Sequence, residues 1–360
     1  MKRFRGFSLV ELMVAITLAL VVTTGVVSVF VGSRNAFEST AGIAALSDNG
    51  RFALNFIENA VRDSGNMACG APVRTIINAN AEPTPLYYTA GPGPALLFQP
   101  FTGFEAVNTG VGNAYVLGTA AGALTNWTPN LDAAFGSLGT LPIKNNDVLV
   151  VRSSTQGGQP AFVTATTPTT MTVNALGALA AGQLAIVSDC VKSVIFEITS
   201  TAGNVLTHST GGVPGNISAT FPPQIDFAAG SQVTPLQTTA YYVGVGADGD
   251  GALFSANVAA NNSLTGIELV PNIEAMQILY GLDTNASQTV SQYVTANLVP
   301  DFTSVISIHV AVLAAGPIGS AAMPPAARQY NLLGTTVTAP RDTRARQVFD
   351  VTIAARNLIP

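Results

Sequence analysis

Asp248-Gly-Asp250-Gly251 sets two carboxylates two residues apart on a turn, the spacing with which a D-x-D-G loop aims oxygens at a calcium ion. The ligand set is incomplete, because no further acidic residue follows until Glu268. The stretch therefore reads as a polar glycine turn between 241–245 and Leu253, and neither a metal nor another cofactor is expected. The two histidines lead to no reaction either. His208 falls in a turn-like stretch, and His309 alternates with Ile308 and Val310 as an outward residue of a strand. Neither has a nucleophile or a metal cluster beside it in sequence, so the chain is not read as an enzyme. Cys69 and Cys190 are the chain's two cysteines, each flanked by loop-like sequence. An even number suits one intramolecular bridge in an oxidising compartment, the alternative being two unpaired buried thiols. Ideal closure of so long a loop is worth roughly 4 to 5 kcal/mol.

Glu11 is the chemically most informative residue. From Leu12 through Ser33 no residue is charged, a run long enough to cross about 30 Å of hydrocarbon, which takes roughly 20 helical residues. A carboxylate at the start of such a helix costs about 2.5–3.5 kcal/mol if it sits deep, and so requires a partner. Lys2, Arg3 and Arg5 directly precede Gly6, and the apolar stretch follows. A secretory signal has the opposite order, with its apolar region before the cleavage site. Cutting behind Gly6 would leave the anchor on the product, and the basic leader would stay on the cytoplasmic side with the rest of the chain outside.

The segment Met1-Lys-Arg-Phe-Arg-Gly6 followed by Phe7-Ser-Leu-Val-Glu11-Leu resembles the class III signal of type IV prepilins and type II secretion pseudopilins. That resemblance implies a dedicated peptidase that cuts after Gly6 and methylates the new N-terminus at Phe7. It also implies that Glu11, about one helical turn from that amine, pairs with the N-terminal amine of a neighbouring subunit during assembly. The alternative for Glu11 is a carboxylate that snorkels to the interface of a plain anchor.

The elements needed to carry these groups can be read next. No proline occurs before Pro72, and Ile43, Leu46, Gly50, Leu54, Ile57 and Val61 recur at spacings of three and four. One helix from Phe7 to about Asp63 is expected, roughly 85 Å long at about 1.5 Å per residue. Its first part, about 7–33, crosses the membrane; its remainder packs on a head, and Gly65 with Cys69-Gly70 ends it. Val21, Val22, Thr23, Thr24, Gly25, Val26 and Val27 are poor helix formers, so this stretch holds in lipid and is expected to loosen in a fibre.

Beyond Pro72 the composition turns to Gly, Ala, Thr, Asn and Pro with short apolar runs, the pattern of strands joined by turns. Strands are expected at 147–152, 183–188, 191–199, 273–282, 305–313 and 348–354. The stretch from about 91 to 182 is Gly-rich and reads as an insertion or β-rich lobe of a head spanning 66–360. The fold class is α+β, a long N-terminal helix on an antiparallel sheet-rich head. Charged residues make up 10%, mean hydropathy is +0.39 and net charge is −5, with loss of Lys2, Arg3 and Arg5 making it more negative. Phosphate binding needs clustered Lys and Arg, and the basic residues are scattered, so nucleic acid is not an expected partner.

Several blocks are similar to PilW-type minor pilins: 46–54, 147–152, Ser188-Asp-Cys190, Glu274 to Asp283 and Arg346 to Asn357. The resemblance implies a low-copy structural subunit of a priming or tip complex for twitching, adhesion or DNA uptake. Its partners would be other minor and major pilins, the prepilin peptidase and the inner-membrane assembly machinery. It would sit in the inner membrane with its head in the periplasm, and then in a surface pilus. A J-type pseudopilin of type II secretion is an alternative that the large head disfavours; a pilus-tip adhesin whose middle region engages a surface is another. The aromatics Trp127, Tyr87-Tyr88 and Tyr241-Tyr242 read as packing residues, with surface contact as the alternative.

Overall fold

The computed structural model describes residues 9–66, 73–75, 99–154, 160–212, 215–221, 225–258, 263–285, 287–321 and 325–355. The expected helix is a single element, α1, Leu9–Asp63. The β-branched stretch 21–27, expected to loosen in a fibre, is regular helix in the single chain. Thr23 and Thr24 donate their hydroxyls to the carbonyls of Ala19 and Leu20, at 2.7 and 2.8 Å. The helix closes at Gly65, whose φ of +71° favours glycine and whose N–H donates to the Arg152 carbonyl at 3.0 Å. Cys69-Gly70 lies outside the described residues.

Gly42, Leu46, Gly50, Ala53, Leu54, Ile57 and Val61 are the buried residues of α1. All of the predicted stripe but Ile43 is among them. Ile43 is 50% exposed, because the head ends at this level and its edge, Pro317 and Ser320, meets Gly42 instead. This face packs on a four-stranded antiparallel sheet in the order Gln292–Val294, Ile273–Leu282, Val305–Ala315, Arg346–Ala354. The helix lies chiefly over the last two of these strands. Leu46, Ile57 and Val61 share one apolar cluster with Ile308, Val310, Val312 and Ile353. Each such side chain stabilises the fold by about 1.5–3 kcal/mol through burial. Gly50 faces the Phe349 ring so closely that no Cβ fits between them.

A thirteen-stranded sheet forms most of the rest of the described head. Its organiser is Gln232–Val245, fourteen residues long. The second half of this strand pairs with Val148–Ser154 on one side and Gly251–Val258 on the other, while its first residues pair with Leu184–Ser188 and Ala161–Thr166. Strands drawn from 99–182, the described part of the 91–182 stretch expected as an insertion, thus share this sheet with strands from 184–271. A three-stranded sheet joins Gln329–Leu332, Thr335–Thr338 and, in parallel, Ala114–Val116.

The expected strands appear with small shifts: Val148–Ser154, Leu184–Ser188, Ser193–Glu197, Ile273–Leu282, Val305–Ala315 and Arg346–Ala354. The stretch 191–199 is shorter as a strand than predicted because residues 189–192 form a turn, in which Asp189 accepts the N–H groups of Val191 and Lys192. His208 is not a solvent turn residue. It is fully buried just after the Val205–Thr207 strand, stacked on Phe221 at 4.4 Å and edge-on to Phe196.

Candidate assembly site on the protruding helix

Ser39 is where the head lets go of α1, its hydroxyl donating to the Ser320 carbonyl at 2.9 Å. Residues 9–38 project beyond that point, about 45 Å at about 1.5 Å per residue. Every described residue from 9 to 38 is exposed. Their surface is apolar nearly throughout: Leu12, Ile16, Leu20, Val27 and Phe30 all present more than half of their area. The few polar groups are folded away. The hydroxyls of Thr17 and Ser28 donate to carbonyls of their own helix at 2.9 and 3.1 Å, like those of Thr23 and Thr24. Charge returns only with Arg34, paired to Glu38 at 2.8 Å.

So much apolar surface is not stable against water and calls for lipid or other helices. The length and composition of the segment suffice to cross a membrane. Gly25 and Gly32, seven residues apart on one face, have no neighbour within 4 Å and leave a shallow notch where another helix can approach. Glu11 lies in the first turn of α1, where a carboxylate complements the helix dipole. Gly6 and Phe7 lie outside the described residues.

The two ends of the chain match known families where these features fall. Residues 1–27 match the model of the prokaryotic N-terminal methylation motif, and residues 240–357 match that of PilW, Type IV pilus-assembly protein W. The last third of the chain is thus similar to PilW, and its start to a prepilin-type methylation signal. Among solved structures, a type IV-like pilin from Thermus thermophilus is similar at 20% identity over 35% of this chain and 70% of its own, with a TM-score of 0.22. No curated protein matches the chain. The PilW match takes in the strands 273–282, 305–315 and 346–354, so the region similar to the family contains the platform that carries α1.

Within that platform the candidate metal turn has a structural task. The Asp250 carboxylate accepts from the Arg344 guanidinium, Asp248 Oδ1 accepts the Asp250 N–H at 3.1 Å, and Glu268 accepts the Ala247 N–H at 3.0 Å. Arg346 reaches Glu274 through Nε at 2.5 Å and Asp342 through Nη2 at 2.6 Å. Arg346 holds Asp342 below the usual carboxylate range. These ion pairs tie the D-x-D-G turn to both the 273–282 strand and the chain before the last strand. Sequence reasoning missed them because Asp250, Glu274 and Arg344 are far apart along the chain.

A second polar cluster lies between the two larger sheets. Asp147, fully buried, accepts the N–H of Ala106 on one oxygen at 3.0 Å and that of Ile278 on the other at 2.8 Å. Glu105 is buried close to it and accepts from the Thr109 hydroxyl at 3.1 Å, while its Oε2 has no hydrogen-bond partner among the described residues. Burial pushes the Glu105 carboxyl up to about 7. Burial and then the nearby Glu105 push Asp147 well above the usual range. Asp147 thus links the two sheets through its two backbone hydrogen bonds. His309 lies on the outer side of its strand, its Nε2 3.0 Å from Asp350. Cys69 lies outside the described residues, and Cys190 sits at φ +67° in the turn before Ser193.

Proposed function

We propose that the chain is a minor pilin of the type IV pilus that joins the priming or tip complex from which fibre growth starts. One observation carries the reading: a single helix is apolar and exposed over its first 30 described residues, yet supplies the buried face that completes the head over its last 20. Such a helix serves as a tether in the bilayer and, after extraction, as the element that packs among the helices of neighbouring subunits. Residues 1–6 form the leader, 7–65 the helix, with about 7–33 in the membrane, and 66–360 the exported head. The prepilin peptidase cuts between Gly6 and Phe7 and methylates Phe7, and Glu11 then pairs with the N-terminal amine of an adjacent pilin. The inner-membrane machinery moves the subunit, head in the periplasm, into the surface fibre. The role is structural, without catalysis.

The Cys69–Cys190 bridge belongs to this reading. Val73–Thr75 runs parallel to Ser193–Glu197 with Val73 opposite Ser193, so the two cysteines precede adjacent strands by four and three residues. That register sets the starts of the two strands side by side, which supports a bridge between the segments leading into them.

Glu11→Ala tests the assembly role. The variant is expected to be processed and inserted as the parent is, and to fall strongly in abundance in sheared pili by immunoblot. Parent-like abundance there would remove the pairing from the mechanism.

A further inference from the structure

We propose that the outer edge of the Arg346–Ala354 strand is a β-strand addition site for the head of a neighbouring, non-identical pilin. The inference rests on the reading of the chain as a pilus subunit. In an antiparallel ladder the N–H and C=O of one residue point to the same side, and alternate residues point to opposite sides. Ala355 donates to the Ile306 carbonyl at 2.9 Å, and Gly316 donates to the Ala345 carbonyl at 2.8 Å. These two bonds fix the phase of the whole strand. The odd residues from 345 to 355 bond to Val305–Ala315, and Arg346, Val348, Asp350, Thr352 and Ala354 turn their backbone groups outward. The register with Val305–Ala315 is unbroken, and the strand ends the order of its sheet. Among the described residues, none of those outward backbone groups has a hydrogen-bond partner.

Exposed strand edges template pairing with other chains, and proteins usually blunt them with proline, lysine, a bulge, brevity or a cover. The other edges here are blunted in these ways. Leu264–Pro271 is paired through a register shift and ends in proline, and its first N–H donates to Ser137 Oγ at 3.0 Å. Gln292–Val294 and Val73–Thr75 have three residues each, and Gln329–Leu332 has four. Arg346–Ala354 has nine, with neither proline nor lysine nor a bulge. Its mid-strand charge, Asp350, is turned to His309 on the adjacent strand.

The position of the edge names the occupant. α1 lies over Val305–Ala315 and Arg346–Ala354, the two strands at this margin. A pilin whose helix bundles alongside α1 brings its own head, and an edge strand of its own, next to the open margin. Main-chain bonds then join two heads whose helices are already side by side, and side chains at alternate positions set which partner fits.

The test uses the full chain in a pilus-forming cell, with p-benzoyl-phenylalanine replacing Thr352, which is exposed, and a control with it replacing Ala202 on a distant strand. Illumination of sheared pili is expected to join this chain to another pilin from position 352 and not from 202. In a second strain, Thr352→Pro deletes one outward N–H and leaves Val351 and Ile353 their ladder bonds. It should lower the crosslink yield from a probe at Ala354 about five-fold, as one net backbone hydrogen bond implies. Crosslinks from 352 only to a second copy of this chain or to a non-pilin protein, no crosslink in pili that contain the chain, or an unchanged yield with Thr352→Pro each overturn the edge proposal alone. Absence of the parent chain from sheared pili overturns the subunit reading as well.

Discussion

Replacing Glu105 by Gln preserves the side chain's shape and removes the ionisation that its burial resists. In the folded chain the carboxyl is raised from 4.5 to about 7, first by burial and against the hydrogen bond from Thr109. A group held above its unfolded value gives its full stabilisation below the unfolded pKa and loses it as pH rises through the folded one. Between about pH 4.5 and 7 the parent therefore loses stability, and above that the loss levels off. A gap of roughly 2.5 units at 1.36 kcal/mol each sets the loss at about 3 kcal/mol. Asp147 shifts in the same direction and is relieved when the Glu105 charge is gone. Glu105→Gln is thus expected to match the parent near pH 4 and to exceed it by up to about 3 kcal/mol near pH 8. Urea unfolding of the detergent-held chain reads this directly. The single tryptophan, Trp127, is buried and donates to the carbonyl of Asn146, next to Asp147, at 2.8 Å. Taking the variant-minus-parent difference cancels the titrating groups that do not interact with Glu105. A difference that does not change with pH, or a variant weaker than the parent at pH 8, would refute the buried-acid account.

Two further outcomes are expected. Ile57→Ala removes a fully buried side chain from the helix–sheet seam and should cost about 2–5 kcal/mol in the same urea assay, with a cost below 1 kcal/mol showing that the helix is not part of the core. Burial lowers the His208 imidazole below its ordinary value, so the parent should weaken as pH falls through about 6.5, opposite in sign to Glu105. His208→Phe, which keeps the stack on Phe221, should lose that acid-side decline, and an unaltered pH profile would count against it.

How much of this was legible beforehand depends on the range of the interaction. Helix α1, its apolar first part and five of the seven residues of its buried stripe follow from local spacing, because a helix repeats every 3.6 residues whatever it later meets. The strands 273–282, 305–315 and 346–354 were legible for a similar reason, as apolar runs of strand length. Ile43 was misread because at that level the head's edge, Pro317 and Ser320, meets the helix at Gly42, one residue round the helix. His208 was misread because turn-forming neighbours say nothing about the Phe196 and Phe221 rings that close over it.

The sequence by itself determined the N-terminal element: an uncharged run from Leu12 through Ser33 specifies a helix long and apolar enough to cross a membrane. It did not determine which acids are buried or paired, since Glu105 meets Asp147 and Asp250 meets Arg344 only through contacts 42 and 94 residues apart. Nor did it determine which edge stays open. That is decided by strand order and by the phase of one ladder, properties of the assembled sheet that no single segment carries.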